Sequence, residues 1–173
     1  MKIIAAILLA ISFSASAESV DQGIIGRFES NDAESYYQFA TRVGRFLSAW
    51  TSSSSAEGCG NITESKGRFY VIIQTQNSQL SCESSYMVSG TNLTGDTIHS
   101  HPDYGTGSIV KLTDSTRKAA KNAGVNLDSI NSIKVKTKNY SNSDYEQGKG
   151  FLVTDGVLMY QNGRGTEKVI SNL

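Results

Sequence analysis

The feature that most constrains the fold is a change of hydrophobic period within the first half of the chain. Tyr36, Phe39, Ala40, Val43, Phe46, Leu47 and Trp50 recur at three-and-four spacing, the pattern of a helix with one apolar stripe. Asn31 or Asp32 is expected to cap this helix, and the run TSSSSAEG (51–58) to end it as a loop. Shortly afterwards RFYVIIQTQ (68–76) is dense in β-branched and aromatic residues, which favour a pleated strand. The stripe needs a core to cover it, and this strand opens the sheet that supplies one.

Further along, DTIHS (96–100) is a short strand candidate that has to stop at Pro102, the only proline, and DYGTG (103–107) follows as a loop. TDSTRKAAKNAG (113–124) is expected to be a second helix, capped by Thr113 or Asp114 and stopped by Gly124. SIKVKTK (132–138) alternates like a strand with one solvated face. FLVT (151–154), Asp155-Gly156 and VLMYQ (157–161) form a hairpin pattern, because Asp-Gly supplies the positive φ angles of a tight turn. Helix and strand intermingle, with no repeat and no dividing linker. At 173 residues the chain fits one domain with a real core, so the expected class is α/β, a single-domain mixed sheet flanked by helices.

Residues 1–17, MKIIAAILLAISFSASA, open with Lys2, run apolar from Ile3 to Phe13 and end in a small-x-small pattern. This reads as a secretory signal peptide cut before Glu18, leaving 18–173 as an exported domain, periplasmic or secreted. The apolar run is shorter than the roughly 20 residues of a membrane span, so none is expected. Formal net charge is zero, which gives no reason to expect nucleic acid or an anionic membrane surface as partner. Cys59 and Cys82 are the only cysteines, and oxidising surroundings favour a bridge between them.

Both histidines lie in GDTIHSHPDYG (95–105). In a strand, His99 and His101 point to one face while Ser100 points away, so two imidazoles can converge on one metal. A catalytic zinc usually adds a third protein ligand and keeps an open position for water. There is no G-x-S-x-G elbow, phosphate-binding loop or cysteine ligand cluster to suggest other chemistry.

The order Glu57-x-Cys59-Gly60, then His99-Ser100-His101-Pro102, then Tyr140-Ser141-x-x-Asp144 ahead of GKGFLVTDGVLMYQNG, resembles the JAMM (MPN-type) zinc metalloprotease family. The resemblance covers about residues 55–165. It implies a JAMM/cytidine-deaminase-like fold, Zn2+ held by His99, His101 and Asp144, and Glu57 as general acid/base. It also implies that Ser141 hydrogen-bonds the oxyanion or orients the site. The family interval between the second histidine and the aspartate is short, whereas residues 102–143 intervene here, so 105–139 reads as an insertion that shapes substrate access. Asp114 lies nearer the family interval but lacks the preceding serine, and is the alternative third ligand. Glu57 as solvated loop and Ser141 as the cap of a short turn starting at Asn142 are the plain structural alternatives.

The resemblance implies an exported zinc-dependent hydrolase acting on an amide or isopeptide bond of a peptide substrate, with cell-wall peptide as the periplasmic example. A non-catalytic binding or inhibitory module on the same fold, or a secreted effector or toxin, are the alternatives.

Overall fold

The computed structural model describes residues 23–104, 108–134 and 138–173. The signal-peptide expectation for 1–17 lies outside the described residues, as do 105–107 of the loop after Pro102 and 135–137 of the strand expected over 132–138.

Seven strands form one sheet in the order β1 (Ile24–Glu29), β3 (Arg68–Gln74), β2 (Cys59–Ser65), β4 (Asn92–Ser100), β7 (Gly150–Thr154), β8 (Val157–Gln161) and β9 (Lys168–Asn172). The pairing of β4 with β7 is parallel and the other pairings are antiparallel, so the sheet is mixed. A parallel pair needs a crossover connection. Here it contains the two-stranded ribbon of β5 (Ile109–Lys111) and β6 (Ser132–Lys134), with α2 (Asp114–Asn122) between them and α3 (Asn142–Glu146) after them.

Helix α1 (Tyr36–Ser54) lies across one face of the sheet. Its Phe39, Ala40, Val43 and Leu47 pack with Ile62, Val71, Ile73, Ile98, Phe151, Val153 and Leu158 from five strands. Each large side chain buried there contributes about 1.5–3 kcal/mol. Two expectations about this helix are corrected. Its cap is Ser35, whose hydroxyl accepts from Gln38 N–H while the Gln38 side chain accepts from Ser35 N–H at 2.9 Å, a reciprocal capping box. Asn31 is engaged instead in a turn, its N–H bound to the Glu34 carboxylate at 2.8 Å. The helix also continues through Thr51–Ser54 rather than ending in a loop at residue 51, because buried Thr51 gains a 2.6 Å hydrogen bond to Ser100 Oγ across the core.

The hairpin forms as its sequence requires: Asp155 and Gly156 have φ of 50° and 71°, and Thr154 pairs with Val157. Helix α2 begins after Thr113, which accepts from Thr116 N–H. Cys59 and Cys82 are joined in a disulfide, with Cα atoms 5.8 Å apart. Among the described residues no helix is long and apolar enough to cross a membrane.

Candidate metal centre

The site grows from the alternation of side chains along β4. Ile98 lies in the core beneath α1, and fully buried Ser100 bonds Thr51 of that helix. His99 therefore faces the opposite side of the sheet. His101, just past the strand end, keeps the same pleat because its N–H donates to Val153 O of β7 at 2.9 Å. The two imidazole centroids are 5.0 Å apart.

Glu57 reaches the same face through strand register. Cys59 sits opposite His99 in the β2–β4 ladder, and Ser100 N–H donates to Gly58 O at 2.9 Å. Two residues further on, Glu57 falls across from His101, with Oε1 4.0 Å from His101 Nε2. Gly58 permits this approach: a Cβ there would lie 2.8 Å from Leu47 Cδ2 and 3.1 Å from Ile25 Cδ1. Glu57 is buried rather than a solvated loop residue. Desolvation, and secondarily the charge of Asp144, push its carboxyl well above the usual carboxylate range.

Asp144 arrives at the end of the crossover, on α3, just before the chain enters β7 beside β4. Ser141 N–H donates to Asp144 Oδ2 at 2.6 Å, and Asp144 N–H donates to Ser141 Oγ at 3.3 Å. The S-x-x-D spacing is thus a capping box that fixes the carboxylate. Exposed Ser141 also shares a hydrogen bond with Ser143 Oγ. Burial opposes ionisation of Asp144. His99, then His101, and the Ser141 N–H outweigh it, and the carboxyl is held below the usual range.

His99, His101 and Asp144 form a group of potential ligands whose donor atoms lie within 4.8 Å of one another. His99 Nε2 is 3.4 Å from Asp144 Oδ1, and His101 Nε2 is 3.6 Å from Asp144 Oδ2. A tetrahedral cation with bonds of about 2.0–2.1 Å separates its ligand atoms by about 3.3 Å, close to these two distances. Among the described residues, buried His99 Nε2 has no hydrogen-bond partner beyond its 3.4 Å approach to Asp144 Oδ1, a cost that a bound cation would remove. Two imidazoles and a carboxylate suit several first-row divalent cations, zinc among them. Asp114 begins α2 as an exposed residue and is not part of this group, so the carboxylate brought to the histidines is Asp144.

Two contributors escaped the sequence. Buried Tyr140 stacks edge-on to His99 with centroids 6.3 Å apart, and its hydroxyl donates to Gly150 O at 3.0 Å, which pins the approach to α3 onto β7. Its position beside Ser141 was the one available signal. Ser100 was recognisable only as the residue pointing away, yet it accepts from Gly58 N–H at 3.1 Å and so aligns the Glu57 segment. A cleft of about 170 Å³ opens beside His101, between Ser48, Thr51 and Ser52 of α1 and the Asp155-Gly156 turn.

No family model, curated protein or solved structure matches the chain. The fold and the site together define an α/β domain with a half-buried His-His-Asp group that could hold a divalent cation, flanked by the buried side chain of Glu57.

Proposed function

We propose that the protein is a zinc-dependent hydrolase of the JAMM type that cleaves an amide or isopeptide bond. The observation that carries this reading is the placement of Glu57: buried, 4.0 Å from His101 Nε2, and outside the group of three ligands. A carboxyl in that position would stand beside the ligands, where it can act as the proton acceptor for an attacking water.

His99, His101 and Asp144 would hold the zinc, which supplies a Lewis acid for the scissile carbonyl and acidifies water. Glu57 takes the proton of the attacking water on Oε1. As the C–N bond breaks, it returns that proton to the departing amine nitrogen. Burial, and then the charge of Asp144, raise the affinity of Glu57 for protons. Ser141 is a positioning residue that holds the Asp144 carboxylate.

The location we propose is extracytoplasmic, which agrees with the bridged cysteines. For a periplasmic protein, the cross-links and stems of cell-wall peptide are the amides at hand. The test is metal analysis of the purified protein together with amine release from peptide and isopeptide substrates. Bound zinc is expected, with turnover falling by about 10²–10⁴ in Glu57→Gln while the metal stays. Absence of zinc, with unaltered activity in Glu57→Gln and His101→Ala, refutes the reading.

A second reading, a binding or inhibitory module, draws on the inserted segment. Gln79 N–H donates to Thr116 Oγ1 of α2 at 3.0 Å, which docks the insertion beside the Glu57 side of the site. Zinc binding without turnover on any amide substrate would favour it.

A further inference from the structure

The connection between β3 and β4 grips Glu57 by its backbone. Ser78 O accepts from Glu57 N–H at 2.8 Å, and Thr75 Oγ1 donates to Glu57 O at 2.8 Å. Both gripping residues are buried, so these bonds are shielded from competing water. The same stretch holds the insertion, because Gln79 Oε1 accepts from Thr113 N–H at 3.0 Å. It ends at Cys82, bridged to Cys59, which lies two residues beyond Glu57 and opposite His99. Residues 57–59 and 75–82 are thus closed into a ring, by hydrogen bonds at one end and by the disulfide at the other.

The metal group shares the β2–β4 ladder with this segment, Cys59 lying opposite His99, but has further supports of its own. His99 and His101 are fixed by β7, and Asp144 by the cap of α3. Past Cys82 the chain has its own anchor, since Gln74 Oε1 accepts from Ser85 and Tyr86 N–H at 2.8 and 2.7 Å. Opening the bridge therefore loosens residues 75–82 without detaching the whole connection. Cys59 is only 4% exposed whereas Cys82 is half-buried, so Cys82 is the more accessible residue of the bridge.

We infer that residues 75–82 are a strap that positions Glu57, and that the Cys59–Cys82 bridge makes this positioning depend on redox state. A dithiol reductant opens it by exchange. One thiolate attacks Cys82 Sγ, the Cys59–Cys82 bond breaks, and Cys59 leaves as thiolate and takes up a proton. The second thiol of the reductant then resolves the mixed disulfide, freeing Cys82 and leaving the reductant as its cyclic disulfide. Two electrons pass from the dithiol to the protein. Glu57 is then misplaced while His99, His101 and Asp144 still bind the cation, so the site is complete only where the bridge is formed. This rests on the reading of Glu57 as general acid/base.

The experiment compares amide hydrogen exchange of the metal-free protein, bridged and reduced with dithiothreitol, and zinc binding and amide turnover of the bridged protein and the Cys59→Ser/Cys82→Ser double variant. Reduction should raise exchange at the Glu57 amide by at least about tenfold and leave the β7 amides protected. The double variant should bind zinc within a few-fold of the bridged protein and turn over at least about tenfold more slowly. Unchanged exchange at Glu57 overturns the strap, and so does loss of protection throughout β7, which would make the bridge a staple of the whole fold. Absence of zinc from the bridged protein overturns the hydrolase reading instead, and the exchange result still decides the strap.

Discussion

Adding zinc to the metal-free protein should raise its unfolding temperature, and the geometry says which side chains that rise must depend on. The two ligand edges of 3.4 and 3.6 Å are close to the roughly 3.3 Å of a tetrahedral site, so binding demands little rearrangement. A cation that binds only the folded state at one hundred times its dissociation constant stabilises by about 2.7 kcal/mol. For a domain of this size each kcal/mol is about 2–4 °C, which gives a rise of roughly 5–10 °C. If His101→Ala weakens binding one hundredfold, the same zinc concentration leaves only about 0.4 kcal/mol, a shift of about 1 °C. Asp144→Ala should behave alike, whereas Glu57→Gln should keep nearly the full shift. Differential scanning calorimetry across a zinc titration, with metal content checked on the same samples, measures this. A full shift surviving in both His101→Ala and Asp144→Ala would refute the assignment of the centre.

Leu47→Ala, which empties a fully buried position between α1 and the sheet, should cost about 2–5 kcal/mol in urea denaturation. Ser141→Ala removes the hydroxyl that accepts from Asp144 N–H but keeps the backbone donor to the carboxylate, so a loss of about 1 kcal/mol is expected with zinc still bound. Loss of zinc as complete as in His101→Ala would show that the hydroxyl, not the cap, matters at the metal. Burial, and then Asp96, raise Tyr36 above the ordinary tyrosine range and Tyr160 to about 12. Folded values above the unfolded 10.0 mean that this stabilisation is whole below about pH 10 and is lost as pH climbs through the folded values. Ultraviolet titration of tyrosinate should therefore show fewer ionised tyrosines in the folded than in the urea-unfolded protein at pH 11 or so, and equal counts would contradict the buried Asp96 network.

What the sequence by itself determined was local. The three-and-four stripe from Tyr36 to Trp50 made α1, because its partners lie within one turn of each other. Asp155-Gly156 made the hairpin, because the turn's positive φ angles are a property of two residues. The alternation around Ser100 set both imidazoles on one face, and the only two cysteines had only each other. Elements held by neighbours rather than by their own pattern were not legible. Strand β2, CGNITES, has no apolar–polar alternation to mark it, yet it lies inside the sheet, with Thr63 Oγ1 donating to Tyr70 O at 3.4 Å and Asn61 Nδ2 to Ser84 O at 2.9 Å. Strands β1 and β9 and the last turn of α1 likewise exist through pairing or a buried contact that no local pattern encodes. The choice of Asp144 over Asp114 belongs to the same class. The parallel pairing of β7 with β4 returns the chain to the histidines after residues 102–143 have left them, which brings the Asp144 carboxylate, and not that of Asp114, beside them. The burial of Glu57 is tertiary for a further reason: its backbone is bonded to Thr75 and Ser78 and the adjoining Gly58 to Ser100, all distant in sequence.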